Sequence, residues 1–270
     1  MPLARRAGFT LPDLLVAIVL LGLVGAISTG ATLRMARILR GVKERAGLQG
    51  AFETGGWYLA SELSDLARGD LRYASADSIE YRAPRLAGLA CSIQATEVRI
   101  LMDRLSIARL PQPGRDSLLL YRGARAGVSR DSAWIALPIV AVSSGQCDRR
   151  AALRIATILD SSLVAATASS LTPVRTFEIM QARLYQSQGE RWLGARSVSA
   201  GEVVQPLTGP FDAGAPTFRF LTSNGAPAGS PDSVRGILLT LRGQVAGWQP
   251  GSAPLRDSAV TRVAPPNLIP

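Results

Sequence analysis

The sequence predicts an α+β protein in which one long N-terminal α-helix, membrane-spanning in its first half and amphipathic in its second, packs on a strand-rich, mainly antiparallel globular head. Three observations carry that prediction. No residue from Leu14 to Leu33 is charged. Apolar residues recur with a helical period between Met35 and Leu66, and after Asp70 the chain breaks into short alternating runs separated by Gly, Pro, Ser and Asp.

At a rise of 1.5 Å, the roughly twenty residues of the charge-free run make a helix of about 30 Å, the thickness of a bilayer's hydrocarbon core. The segment 9–33 can therefore span a membrane. Arg5 and Arg6 precede it, while Arg34, Arg37, Arg40, Lys43 and Arg45 follow it, so charge at its two ends pulls topology both ways. Within it, Gly22, Ala26 and Gly30 recur every four residues and share a face along which helices can approach closely. An apolar helix in an Ala- and Gly-rich chain also shows such a stripe by chance.

The stem continues through 34–68. Met35, Ile38, Leu39, Val42 and Ala46 keep the helical period with the charges largely off that stripe. Leu59, Leu63 and Leu66 resume it beside Glu62, Asp65 and Arg68, and Gly69 is the expected stop. Between the halves, Gly47, Gly50, Gly55 and Gly56 each weaken a helix by up to about 1 kcal/mol relative to Ala. One long helix is expected, and any bend or break would fall at those glycines.

The head is expected to occupy 69–270. Ile79, Tyr81 and Ala83 alternate with Glu80 and Arg82, and Ser117–Arg122 and Trp134–Val142 read as further strands, the last at an edge or broken in two by Pro138. Thr176–Tyr185 and Glu190–Arg196 are strands joined by the hairpin signal Ser187-Gln188-Gly189. Phe218 and Phe220 flank Arg219, and Ile237, Leu239 and Leu241 share one face of a late strand. The Pro-rich tail reads as a loose end or a clasp.

Composition narrows the chemistry. The formal net charge is +10, yet Lys43 is the single lysine among 30 basic residues, a skew that matches GC-rich coding better than phosphate binding. Outside 34–45 no tight basic run with interleaved aromatics occurs, so DNA is a minor partner class. With no His, His-based acid-base catalysis, His metal sites and Ser-His-Asp triads are excluded. No phosphate, calcium or nucleophile-elbow motif is found; Asp160, Glu178, Glu190 and Glu202 could pair as carboxylates in the fold, but solvated surface positions are the favoured reading. The chain reads as a non-enzyme without cofactor or metal. Cys91 and Cys147 are its two cysteines. In an oxidising compartment they would bridge a loop of about 55 residues, worth about 3–4 kcal/mol; the alternative is two separate buried thiols.

The first residues carry the functional reading. Asp13 stands at the mouth of the apolar run, where entering the membrane core costs on the order of 3 kcal/mol without a partner. A cut after Gly8 would create that partner, the ammonium of Phe9. The stretch Gly8-Phe9-Thr10-Leu11-Pro12-Asp13-Leu14-Leu15-Val16, behind the basic leader 1–8, resembles the class III signal of type IV prepilins and type II secretion pseudopilins. The match covers about the first 25 residues, and the family's usual Glu is here Asp, one methylene shorter.

That resemblance implies a prepilin peptidase cutting after Gly8 and methylating Phe9. It implies Phe9 and Asp13 as an assembly charge pair between neighbouring subunits, and Gly30 near the depth where family stems carry a helix breaker. The partners it implies are other pilin or pseudopilin subunits, the inner membrane and the assembly platform. The localisation it implies is a single pass with the head in the periplasm, then the pilus or pseudopilus. The length and late strand order are most similar to minor subunits of the PilW or GspJ kind. Two other readings fit parts of the pattern: a secretory signal cleaved near Thr29-Gly30-Ala31, and a plain membrane anchor. A third alternative is a pilus-tip module that binds DNA or a surface.

Overall fold

The computed structural model describes residues 11–122, 133–159, 171–212, 218–245 and 253–265. Helix α1 runs unbroken from Leu11 to Leu63. Pro12 stands in its first turn, where a missing N–H costs no helical bond, and Asp13 complements the positive end of the helix dipole. The next proline is Pro84, so nothing before it removes a backbone donor. The chain forms two compact units, 1–50 with 244–257 and 51–243 with 258–270. In the first, α1 is solvent-exposed along nearly all its length from Leu11 to Ala46.

The helix ends at Leu63, six residues before the expected Gly69 stop. Asp70 closes the turn that follows: its carboxylate accepts from the Ala67 N–H at 2.8 Å and from Arg175 Nη2 at 3.0 Å. Gly69 supplies a φ of +85° there, a conformation that suits glycine.

Strands then dominate the described residues. They are β1 (Leu71–Ala74), β2 (Ser78–Gln94), β3 (Glu97–Leu101), β4 (Ser106–Ile107), β5 (Asp116–Arg122), β6 (Ala133–Pro138) and β7 (Ala141–Cys147). After these come β8 (Arg150–Ala156), β9 (Thr172–Ser187), β10 (Glu190–Ser197), β11 (Gln205–Phe211), β12 (Phe218–Leu221), β13 (Gly236–Val245) and β14 (Leu255–Val263).

The main sheet has 11 strands, in the order β11-β10-β9-β2-β3-β8-β7, with β1 and β4 also on β2 and with β5 between β9 and β6. All its pairings are antiparallel. Its spine is the β2–β9 pair, in register from Ser78↔Arg183 to Ala90↔Thr172. The expected break at Pro138 is a change of partner. β6 pairs β5, and the same chain continues as β7 on β8, with the Val140 N–H donating to Ala156 O at 2.9 Å. Because Pro138 has no N–H to donate, the ladder ends there. The sheet rolls around Leu86, Val98, Ile100, Leu118, Leu120, Leu137, Ile155 and Val174.

The β9–β10 hairpin turns at Gln188 and Gly189, whose φ values of +52° and +82° are those a two-residue hairpin of this twist requires. The order β12-β13-β14 makes a second sheet, in which Ile237, Leu239 and Leu241 are buried together. Strand β14 was not anticipated, because its apolar residues Leu255, Ala259, Val260 and Val263 do not alternate regularly with the polar ones.

Within the second unit the last turns of α1 complete the core. Phe52, Leu59 and Leu63 are buried, and the Phe52 and Phe211 rings stack at 6.0 Å. Gly55 and Gly56, expected to weaken the helix, permit its close approach. A Cβ on Gly55 would lie 3.0 Å from Leu241 Cδ1 and 3.2 Å from Thr208 Cγ2, and one on Gly56 would lie 2.5 Å from Thr261 Oγ1. Gly55→Leu is accordingly expected to destabilise the head by about 1–3 kcal/mol through overpacking. Denaturant unfolding of the full chain in neutral detergent checks this, and an unchanged midpoint would show that the helix can back away at no cost.

Candidate assembly segment and the ion network of the head

Two features bear on function, one in each unit. The first is the exposed, apolar part of α1. It is long and apolar enough to cross a membrane. Asp13 lies in its first turn and is exposed. Gly22, Ala26 and Gly30 are exposed as well, and nothing lies within 4 Å of a Cβ built on either glycine. Gly8 and Phe9, the expected processing site, lie outside the described residues.

The second feature lies within the head, where the strand ladder sets Asp116 of β5 directly opposite Glu178 of β9. Two carboxylates opposed across strands repel. Here both are buried, Glu178 at 1 % side-chain exposure and Asp116 at 0 %, and Arg109 lies between them. Its guanidinium donates from Nη1 to Asp116 Oδ2 at 2.6 Å, and from Nη2 to Asp116 Oδ1 at 2.7 Å and Glu178 Oε2 at 2.8 Å. The loop carrying Arg109 is held by backbone bonds from the Ala108 and Arg109 N–H groups to Arg85 O.

Arg85 comes from an irregularity in β2, where the register with β9 shifts between Pro84 and Leu86. A bulge re-aims the side chain it carries. Arg85 donates from Nε to Glu178 Oε2 at 3.0 Å and from Nη1 to Glu62 Oε1 at 3.3 Å. Arg115 pairs with Glu178 Oε1 and, at 2.7 Å, with Glu202 Oε1. Glu62 is in the last turns of α1, and so one chain of charge-assisted bonds runs from the helix through β2 and β9 to the segment after β10.

Burial opposes charge on Glu178. The Ser197 hydrogen bond and the cations Arg109 and Arg85 outweigh it and hold its carboxyl below the usual range. Burial likewise opposes charge on Arg85, which Glu62 and Glu178 hold above its ordinary value. Beside them, burial and then the Glu62 charge push the Tyr58 phenol up to about 12. This arrangement holds charge still. Each carboxylate of the network faces at least one guanidinium in fixed geometry, which joins the helix end to the sheet.

The sequence reading missed this network. Glu178 is a buried hub and not a solvated surface group, because three guanidinium groups converge on it. Glu202 shares Arg115 with it, Glu190 is exposed, and Asp160 lies outside the described residues. A carboxylate inside an otherwise apolar strand, Phe177-Glu178-Ile179-Met180, was the available signal. The network also engages part of the arginine excess. Elsewhere Arg175 pairs with Asp70, Arg191 with Asp77, and Arg99 and Arg154 with the buried Glu97.

Cys91 and Cys147 are joined, with Cα atoms 6.3 Å apart, tying β2 to β7. Of the two readings left open for the cysteines, the bridge is the one seen. Leu101 and Ala152 pack around it. Among the described residues, no group of three or more Cys, Asp and Glu side chains could hold a metal ion. Compared with protein-family models, with curated proteins and with solved structures, the chain matches none.

Proposed function

We propose that this chain is a minor pilin or pseudopilin, a subunit of a type IV pilus or type II secretion pseudopilus that is cut after Gly8, held in the inner membrane and assembled through its N-terminal helix. The observation that carries the reading is the run from Gly8 to Asp13 placed directly before an apolar, charge-free segment. The exposure of α1 from Leu11 to Ala46 supports it, since such a surface calls for lipid or for other helices.

In this reading the peptidase exposes the Phe9 ammonium, which meets the Asp13 carboxylate of an adjacent subunit. In a water-poor bundle of helices the pair fixes axial register, because a subunit one turn out of place leaves a charge buried and alone. The small face of Gly22, Ala26 and Gly30 lets neighbouring stems approach. The large head fits a tip or priming subunit better than a bulk repeat.

N-terminal sequencing by mass spectrometry of protein recovered from native membranes tests this. The expected terminus is Phe9, N-methylated. A terminus near Thr32 would mean an ordinary exported protein, and a retained leader a plain anchor. Asp13→Ala is expected to be cut normally yet enter filaments at least about tenfold less well, the loss expected when one partner of a buried pair is removed. Wild-type incorporation would show the charge pair to be dispensable.

A further inference from the structure

The stem carries a feature that the filament reading does not use. Immediately after Leu33, Arg34, Arg37, Arg40, Lys43 and Arg45 stand on the continuous helix against the single anion Glu44, and all five cations are exposed. That is a net +4 in the stretch 34–45, whereas the segment 69–270 has 22 arginines against 15 carboxylates spread along its whole length. Charge density therefore peaks at the end of the apolar run.

We propose that these five residues form a collar that binds the anionic phospholipid headgroups of the membrane that α1 crosses. Axial position is the first argument. With Leu14–Leu33 filling a hydrocarbon core of about 30 Å, the headgroup layer covers only the next 5–8 Å or so. Arg34 and Arg37 fall inside that layer. Arg40, Lys43 and Arg45, at about 1.5 Å per residue, lie within roughly a Debye length of its surface.

Direction is the second argument. Cα–Cβ bonds of a helix tilt toward its N-terminus, which here is the membrane side, so the long side chains reach back to the phosphates. The third argument is angular. At 100° per residue, the five cations sweep about 200° of the helix, and Met35, Ile38, Leu39, Val42 and Ala46 occupy a separate arc of about 100°. A cationic arc that wide can contact several lipids at once while the apolar arc stays available to protein.

The inference rests only on the membrane-crossing part of the reading above. A retained leader would end the filament assignment and leave the lipid preference standing, whereas a terminus near Thr32 would remove the membrane-crossing run and end both.

The test uses the full chain in neutral detergent, offered equal amounts of phosphatidylglycerol and phosphatidylcholine, with retained lipids counted by native mass spectrometry. Each cation near an anionic surface is worth about a fivefold preference. The expected result is at least a tenfold preference for phosphatidylglycerol at low salt, falling toward parity as salt rises. The combined variant Arg34→Gln, Arg37→Gln, Arg40→Gln, Lys43→Gln and Arg45→Gln should hold both lipids equally. A head variant, Arg183→Gln, Arg219→Gln and Arg242→Gln, should keep the wild-type preference. Equal retention by the wild type, a preference that survives in the collar variant, or displacement of phosphatidylglycerol by an equal amount of duplex DNA would each overturn the proposal.

Discussion

Glu178→Leu is expected to destabilise the head by about 3–5 kcal/mol, the largest effect of any single head substitution considered, because it leaves three partly buried cations without the buried carboxylate they share. Arg85 retains Glu62, Arg109 retains Asp116 and Arg115 retains Glu202. Arg85 and Arg115 nevertheless lose their most buried acceptor, and Arg109 is left with Asp116 alone. Denaturant unfolding followed by tryptophan fluorescence in neutral detergent would measure the change. A loss under about 1 kcal/mol would mean that the remaining pairs or water compensate, and that the network does not clamp the helix end.

The same residue sets a pH dependence. Its folded-state pKa is depressed, so its contribution is present above the unfolded carboxylate value of about 4.3 and disappears as pH falls through the lower folded value. Wild type should therefore lose stability below about pH 4. Glu178→Gln, which keeps the shape without the charge, should show a shallower acid limb.

The second large effect concerns processing. Gly8→Val is expected to abolish leader removal, since the resemblance places the cut after Gly8 and a β-branched side chain there adds bulk and restricts the backbone to a peptidase that works beside glycine. Intact mass of the membrane-bound chain would show the leader retained in essentially every copy. Without the cut no Phe9 ammonium forms, and the proposed pairing with Asp13 cannot arise. Normal processing of this variant would contradict the prepilin reading at its base.

The long helix was legible because an apolar, charge-free run and its 3.6-residue continuation leave little choice of structure. The β9–β10 hairpin was legible from Gln188-Gly189, and the break at Pro138 from a missing donor. Other parts depend on partners far away in sequence. Strand β2 runs on to Gln94 through Pro84 because a register shift absorbs the proline, and no local pattern announces that. Strands β3 and β8 carry Glu97, Arg99 and Arg154, which look solvated until they pair with one another. The network around Glu178 joins residues from 62 to 202, and one sequence cannot bring such positions together. Gly55 and Gly56 were read for what glycine does to a helix alone, whereas what crosses the helix decides their role.

The compact unit of the head starts at Ala51, inside α1, so the same helix whose first part is long and apolar enough to cross a membrane also supplies Phe52, Leu59, Leu63 and Glu62 to the folded domain. Severing the chain near Gly47–Gly50 would shed a head that keeps all of these. Severing it in the turn at 64–70 would strip away a wall of the core together with the acid that Arg85 holds. Whether a severed head stays folded is thus decided by where, within some twenty residues, a protease finds the chain.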